Sequence, residues 1–238
     1  MKTYLKKIEL LRAESSYSGA LCIIESSLEE LKGLAKDFLH LSEYKYFKTL
    51  QFEKRQHSYL LGRYSAKMAL MQCLSCKDPS AIEIAPGVFQ QPVVRHQGTE
   101  NIQVSIAHGD SWATAIAFPE EHPMGIDIEA IATGNEQVID EQLTAQERLL
   151  IKNSGLKAPL GEVLFWTVKE ALAKTIRCGL MIPLEIIELK KFEEEKDFYL
   201  SHFINFDQYK VQSYLIKGNA LSIALPKNTK MQLTDLNI

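Results

Sequence analysis

Asp127 and Glu129 stand two residues apart in Gly125-Ile126-Asp127-Ile128-Glu129, and further on Glu170 and Lys174 stand four apart in Phe165-Trp166-Thr167-Val168-Lys169-Glu170-Ala171-Leu172-Ala173-Lys174. Side chains alternate faces along a strand, so Asp127 and Glu129 project together while Ile126 and Ile128 point the other way. Two such carboxylates repel unless a cation or a proton lies between them. Hard oxygen donors suit Mg²⁺, which keeps several waters and often bridges to a phosphate. On a helix, Glu170 and Lys174 share one face; the glutamate can serve as a third ligand or a base, and the lysine can reach a phosphate. A further group, Ser105-Ile106-Ala107-His108-Gly109-Asp110, puts a histidine at the end of a strand, where it could donate to a phosphate oxygen. Each group also has a plainer reading: an exposed strand face with two acids, a surface ion pair worth about 0.3–0.5 kcal/mol, and a capping or packing histidine.

The elements that must position these groups come in two sets. Arg63-Tyr64-Ser65-Ala66-Lys67 lines up with Glu170-Ala171-Leu172-Ala173-Lys174, and Ala113-Thr114-Ala115-Ile116-Ala117-Phe118-Pro119 with Ala220-Leu221-Ser222-Ile223-Ala224-Leu225-Pro226, both at an offset of 107 residues. One offset held across a helix-like and a strand-like segment points to an αβ unit used twice. The expected fold is α+β: a pseudo-dimer of two similar halves, 1–131 and 132–238, each a long helix on a small antiparallel sheet, forming one two-lobed unit. Ligand sites tend to lie in the cleft that such halves create.

In the first half, 21–25 reads as a strand, and Ser26 or Ser27 caps a helix through Leu28, Leu31, Leu34, Ala35 and Phe38. A strong helix carries Leu60, Leu61, Tyr64, Met68 and Met71 and is stopped by Asp78-Pro79. Residues 82–84 read as a short strand, 86–98 as a loop, and 102–107, 112–118 and 124–130 as three consecutive strands. Residues 132–135 form a polar seam. In the second half Thr144 and Glu147 fit a capping box. A long helix spans 160–177, with Val168, Leu172 and Thr175 buried and Trp166, Glu170 and Lys174 on another face. Strands follow at 186–192, 198–204, 209–216 and 220–225, with a Gly218-Asn219 turn between the last two. Residues 227–238 read as a loose tail.

The chain has 238 residues, 46% hydrophobic and 24% charged, an ordinary globular composition able to bury a full core. A net charge of −3 argues against a general nucleic-acid binder, which usually has a basic face, and still allows a local cationic pocket. No apolar run reaches the ~18 residues needed to span a bilayer. The charged start, 1–7, has no apolar core after it and is not read as a signal peptide. Of the four cysteines, Cys22, Cys73, Cys76 and Cys178, the CxxC pair at 73 and 76 lacks a second ligand pair and reads as two thiols at a helix end rather than a zinc site. Reduced cysteines fit a cytoplasmic protein.

The combination of groups resembles the Sfp-type 4′-phosphopantetheinyl transferases. GIDIE at 125–129 followed by FWTVKEALAK at 165–174 is similar to that family's paired signature, (I/V)G(I/V)D and (F/W)(S/T/C)xKE(A/S)xxK. SIAHG at 105–109 is similar to its serine–histidine motif, and LLGRYSAK at 60–67 to its LLGR-type helix. The resemblance runs through residues 40–226 in order. It implies transfer of the phosphopantetheine arm of coenzyme A to a serine of an apo acyl or peptidyl carrier protein, with release of adenosine 3′,5′-bisphosphate. It also implies Mg²⁺ held by Asp127, Glu129 and Glu170, with Glu170 as base and Lys174 at the phosphate. Coenzyme A would be bound through Lys45, Gln90, Gln91, Ser105, His108, Lys169 and Lys174, with His108 at the 3′-phosphate. The family's GKP-like loop is represented by Gln90-Gln91-Pro92, so the proline is present and the lysine is not. Lys45, Lys48, Lys54 and Arg55 lie where the family tends to place phosphate-binding cations; a solvated helix face is the other reading. Arg63 and Lys67 could serve the ligand or the junction of the halves, and the junction is preferred. A monomer is the simpler expectation. An inactive carrier-binding homologue and a Mg²⁺-dependent hydrolase of a nucleotide or diphosphate are the alternatives from other classes.

Overall fold

The computed structural model of the protein describes residues 1–74, 76–96, 101–132, 136–233 and 236. In chain order the elements are β1 (Lys2–Leu11), β2 (Ser16–Glu25), α1 (Leu28–Phe38), α2 (Leu41–Phe47), α3 (Glu53–Cys73), β3 (Glu83–Pro86), β4 (Pro92–Arg95), β5 (Ile102–His108), β6 (Trp112–Pro119) and β7 (Gly125–Ala130). There follow α4 (Glu136–Asp140), α5 (Ala145–Ser154), α6 (Leu160–Thr175), β8 (Leu189–Glu194), β9 (Tyr199–Phe203), β10 (Tyr209–Ile216), β11 (Asn219–Pro226) and β12 (Lys230–Met231). Helices packed on antiparallel sheets make this an α+β fold. Among the described residues no helix is long and apolar enough to cross a membrane. The centre of the CxxC pattern at Ser75, the end of the expected 86–98 loop, most of the 132–135 seam and much of the end of the tail lie outside the described residues.

The chain divides into two compact units, residues 1–122 with 230–232 and residues 123–229 with 233–238. The first is built on a five-stranded sheet ordered β12-β1-β2-β6-β5. Helix α3 lies on it, against β6, β2 and β5, and α1 packs on α3. Ser27 caps α1 and Glu30 closes the capping box, as the Ser-x-x-Glu spacing predicts. β3 and β4 form a separate hairpin, so residues 92–95 are a strand inside what reads as loop. β1 is absent from the sequence expectations because lysines interrupt its alternation, although Ile8 and Leu10 are buried. β12 pairs with β1 through Leu10 and Leu11, so the expected tail carries a strand.

The second unit has a five-stranded sheet ordered β7-β11-β10-β9-β8. β7, read from the sequence with the first half, pairs along its length with β11, Asp127 opposite Ser222 and Glu129 opposite Ala220. Helix α6 packs on β7, β11 and β10. Val168, Leu172 and Thr175 are buried beneath it. The β10–β11 hairpin turns through Lys217 and Gly218, both at positive φ, 43° and 77°, as a type I′ turn requires. The two units share an element spacing: α3 and α6 begin at 53 and 160, β5 and β10 at 102 and 209, and β6 and β11 at 112 and 219, each pair 107 apart.

Candidate active site

β7 is a half-alternating strand with a purpose visible in its burial. Ile126 and Ile128 are fully buried, Asp127 is buried and Glu129 half-buried. The strand approaches α6 closely because position 125 lacks a side chain. A Cβ there would stand 2.2 Å from the Ala171 carbonyl oxygen and 2.5 Å from the Thr175 hydroxyl, closer than any real contact. Glycine therefore sets the distance between the strand with two acids and the helix with the third.

On α6, Trp166, Glu170 and Lys174 are half-buried along one stripe. Lys174 makes its ion pair across to the strand, Nζ to Asp127 Oδ1 at 2.6 Å, rather than the i,i+4 surface pair that is its plainer reading. The other carboxylate oxygen, Asp127 Oδ2, is buried with no hydrogen-bond partner. Burial pushes the Glu129 carboxyl up to about 7, with Asp127 and Glu170 adding repulsion, and Lys174 and the Trp166 indole opposing it. Burial and then Asp127 also hold Glu170 above the usual carboxylate range, against the pull of Lys174. The three carboxylates thus lie in one another's field, with one ammonium among them.

That donor set fits a hard divalent cation: three carboxylates, two of them short of counter-charge, and an orphaned buried oxygen. As the side chains stand, no trio of His, Cys, Asp or Glu among the described residues has the arrangement of a metal site. The Lys174 ammonium is the positive partner that Asp127 has.

Lys169, expected to bind coenzyme A, has a different place. Its side chain is 0% exposed, and Nζ donates to Glu147 Oε2 at 2.7 Å and to the Gln142 carbonyl at 3.2 Å. Glu147 was legible only as the closing residue of the Thr144 capping box; its partner lies 22 residues on, where no local pattern points.

The remaining expected residues lie in the first unit. His108 ends β5 and, with Gln90, lines a cavity of about 530 Å³. Ser105 is buried on β5. Gln91 turns inward on its own loop and accepts from the Phe89 amide at 2.9 Å. Lys45 is exposed in the last turn of α2 and is not among the residues lining that cavity. Its main wall is Arg55, Tyr59, Gly62 and Arg63; the sequence reading has Arg55 as a candidate phosphate cation and Arg63 as a residue for ligand or junction, with the junction preferred, and it misses Tyr59 as a wall. The spacing of these four puts them on one face of α3, which was the available signal. The Arg63 guanidinium stacks over the Tyr59 ring at 4.8 Å and lies 3.4 Å from Glu43. Lys67 is 0% exposed and bound to Glu43 at 2.6 Å and to the carbonyls of Pro79 and Ile82, so it reaches no ligand. The four cysteines are free thiols.

A family model for the 4′-phosphopantetheinyl transferase superfamily matches residues 123–225. A curated relative, 4′-phosphopantetheinyl transferase gsp of Aneurinibacillus migulanus, is 23% identical over 141 residues. That alignment covers 59% of this chain and 56% of the relative, so the chain spans little more than half the relative's length. Among solved structures, a holo-(acyl-carrier-protein) synthase of Bacillus anthracis in complex with CoA (3′,5′-ADP) is 20% identical at a TM-score of 0.37, covering 47% of this chain and 96% of that one. A holo-[acyl-carrier-protein] synthase of Thermotoga maritima is 23% identical at 0.34, covering 52% and 74%. The matched segment holds Asp127, Glu129, Glu170 and Lys174, and over that segment the chain is similar to the 4′-phosphopantetheinyl transferase superfamily.

Proposed function

We infer that the protein transfers the phosphopantetheine arm of coenzyme A to a serine hydroxyl of an apo acyl or peptidyl carrier protein, releasing adenosine 3′,5′-bisphosphate. The observation that carries this reading is the 2.6 Å ion pair from Lys174 of α6 to Asp127 of β7, with Glu129 on the same strand and Glu170 on the same helix.

Asp127, Glu129 and Glu170 would hold Mg²⁺, which supplies charge neutralisation at the pyrophosphate. A serine hydroxyl is a poor nucleophile until a base takes its proton. Glu170 suits that task because burial and Asp127 raise its proton affinity, and a base works best when its pKa lies near the working pH. The serine oxygen forms a bond to the phosphorus that bears pantetheine, the bond from that phosphorus to the bridging oxygen breaks, and the serine proton passes to Glu170. Lys174 offsets the charge that collects on the leaving bisphosphate. The cavity beside α3 suits the nucleotide end of coenzyme A, with Tyr59 and Arg63 offering a stacking surface, Arg55 offering positive charge to phosphate and His108 a ring N–H. The free cysteines support a cytoplasmic protein, and the repeated element spacing supports a monomer.

The test is incubation with coenzyme A, Mg²⁺ and a panel of apo carrier proteins, followed by intact-mass analysis. The expected result is a phosphopantetheine adduct on at least one carrier. Tight carrier binding with no adduct on any member of the panel would instead establish an inactive carrier-binding homologue, and hydrolysis of coenzyme A alone would establish the hydrolase.

A further inference from the structure

Lys169 and Glu147 form an ion pair with both side chains 0% exposed. A buried pair of this kind is weak evidence for stability, because well-packed apolar residues often do as well, yet breaking it by removing one partner is costly. What it does supply is a fixed geometry. Glu147 is tied on three sides: Oε1 accepts from the Leu189 amide at the start of β8, while Oε2 accepts from the Thr144 amide at 2.9 Å and from Lys169. Lys169 also holds the Gln142 carbonyl ahead of α5. One carboxylate therefore joins the start of α5, the edge of β8 and the middle of α6.

Lys169 and Glu170 are consecutive, about 100° apart around the helix. Any rotation or slide of α6 that moved Glu170 away from Asp127 would pull Lys169 off Glu147 and leave two buried charges unmatched. Gly125 controls how near β7 and α6 lie; the ion pair controls how α6 is turned. Geometry matters here because a misplacement of about 1 Å near a reacting centre can cost on the order of 10²-fold in rate.

We propose that Glu147 and Lys169 are positioning residues that lock the rotation of α6 so that Glu170 and Lys174 face Asp127 and Glu129. This rests on the transferase reading of that site, and it assigns Lys169 to the helix rather than to coenzyme A.

The test compares Lys169→Met with Val211→Ala, a core change on β10 that lowers stability without touching the pair. Four quantities are read: the unfolding midpoint, kcat, KM for coenzyme A with an apo carrier protein, and Mn²⁺ affinity of the free enzyme by electron paramagnetic resonance. Lys169→Met should lower kcat at least tenfold and weaken Mn²⁺ binding at least fivefold, with KM for coenzyme A within twofold; Val211→Ala should lower the unfolding midpoint and leave kcat, KM and Mn²⁺ affinity within twofold. A Glu147→Leu/Lys169→Met double variant leaves no unpaired buried charge, so it stays folded if the single change does not, and its kcat and Mn²⁺ affinity should stay low. Variants that match Val211→Ala in both quantities, or a raised KM for coenzyme A as the main loss, overturn the proposal. A wild-type enzyme that modifies no carrier overturns the transferase reading instead, and the Mn²⁺ measurement then still decides whether the pair sets the carboxylate geometry.

Discussion

Both units build the same device and use it differently. In the first, Glu43 at the third position of α2 closes a capping box with His40, accepts from the Ile84 amide of β3, and binds buried Lys67 of α3. In the second, Glu147 at the third position of α5 closes a capping box with Thr144, accepts from the Leu189 amide of β8, and binds buried Lys169 of α6. The glutamates are 104 residues apart and the lysines 102, not the 107 that relates the helices. The lysine 107 residues after Lys67 is Lys174, and it pairs with Asp127. In the first unit the lysine at that register closes the core. In the second a different lysine closes it, leaving Lys174 for the carboxylates. The aligned partner of Arg63, which lines a cavity, is Glu170, which joins Asp127 and Glu129. A common scaffold thus separates a cavity lined by arginines, tyrosines and the glutamates Glu43 and Glu83 from a carboxylate cluster by moving one lysine and exchanging one charge.

The sharpest break in this comparison is catalytic. Asp127→Ala or Glu170→Ala should lower kcat by about 10³-fold or more, from lost charge positioning and lost base function together, with little change in the unfolding midpoint. Arg63→Ala on the equivalent register should raise KM for coenzyme A about tenfold and leave kcat close to wild type. Steady-state kinetics with a carrier protein checks both, and an Arg63 variant that loses kcat while a Glu170 variant keeps it would reverse the assignment of the two units.

The paired lysines come next. Removing Lys169 leaves Glu147 buried, at a cost of about 3–5 kcal/mol. Lys67→Met should cost less, because Arg63 remains 3.4 Å from Glu43 as a second counter-ion. Urea unfolding of Lys67→Met and Lys169→Met measures the difference, and equal losses would show that Arg63 does not share the load.

The two glycines that bring strand and helix faces together differ in the same sense. Gly125→Ala drives a methyl into backbone at 2.2 Å, so the expected loss is about 3 kcal/mol, at the upper end for overpacking, together with falling activity as β7 moves from α6. At Gly62 the nearest atom is the Ile106 Cγ2 at 3.2 Å. There the gain from alanine in a helix interior, about 1 kcal/mol, offsets most of the crowding, and Gly62→Ala should be neutral within about 1 kcal/mol. Thermal melts of both variants test it.

Much of this was legible in the residues. Alternation gave β7 its two faces, the helical period gave α6 its buried and functional sides, and Ser-x-x-Glu and Thr-x-x-Glu gave two helix starts. These are local patterns, resolved within a few residues. What escaped depends on partners far along the chain. β12 is two residues long and exists because Leu10 and Leu11 offer an edge; β4 exists through its pairing with β3. Lys169 reads as a ligand cation inside its motif, and only the fold reveals that it turns inward to Glu147. Arg55, Tyr59 and Arg63 had the right spacing, but a cavity needs a second wall, and β3 and His108 supply it from elsewhere in the sequence.

The smallest expected effect is a pH dependence confined to the second unit's site. Glu129 has an ordinary pKa of 4.5 when unfolded and about 7 when folded, raised by burial and then by Asp127. The folded state therefore holds a proton that the unfolded state has released between those values, and stability must fall as pH rises through that window. Below about 4.5 the contribution is fully present, and above about 7 both states are ionised and it is gone. Glu170 is shifted in the same direction and adds to the slope. Urea unfolding at several pH values in chelator should thus show stability declining from pH 5 to 7, and Glu129→Gln should flatten that decline by removing both its own titration and its repulsion of Asp127 and Glu170. An unchanged slope in the variant would mean that the carboxylates do not share a field, and the contrast between the carboxylate cluster of the second unit and the arginine-bearing cavity of the first would lose its electrostatic basis.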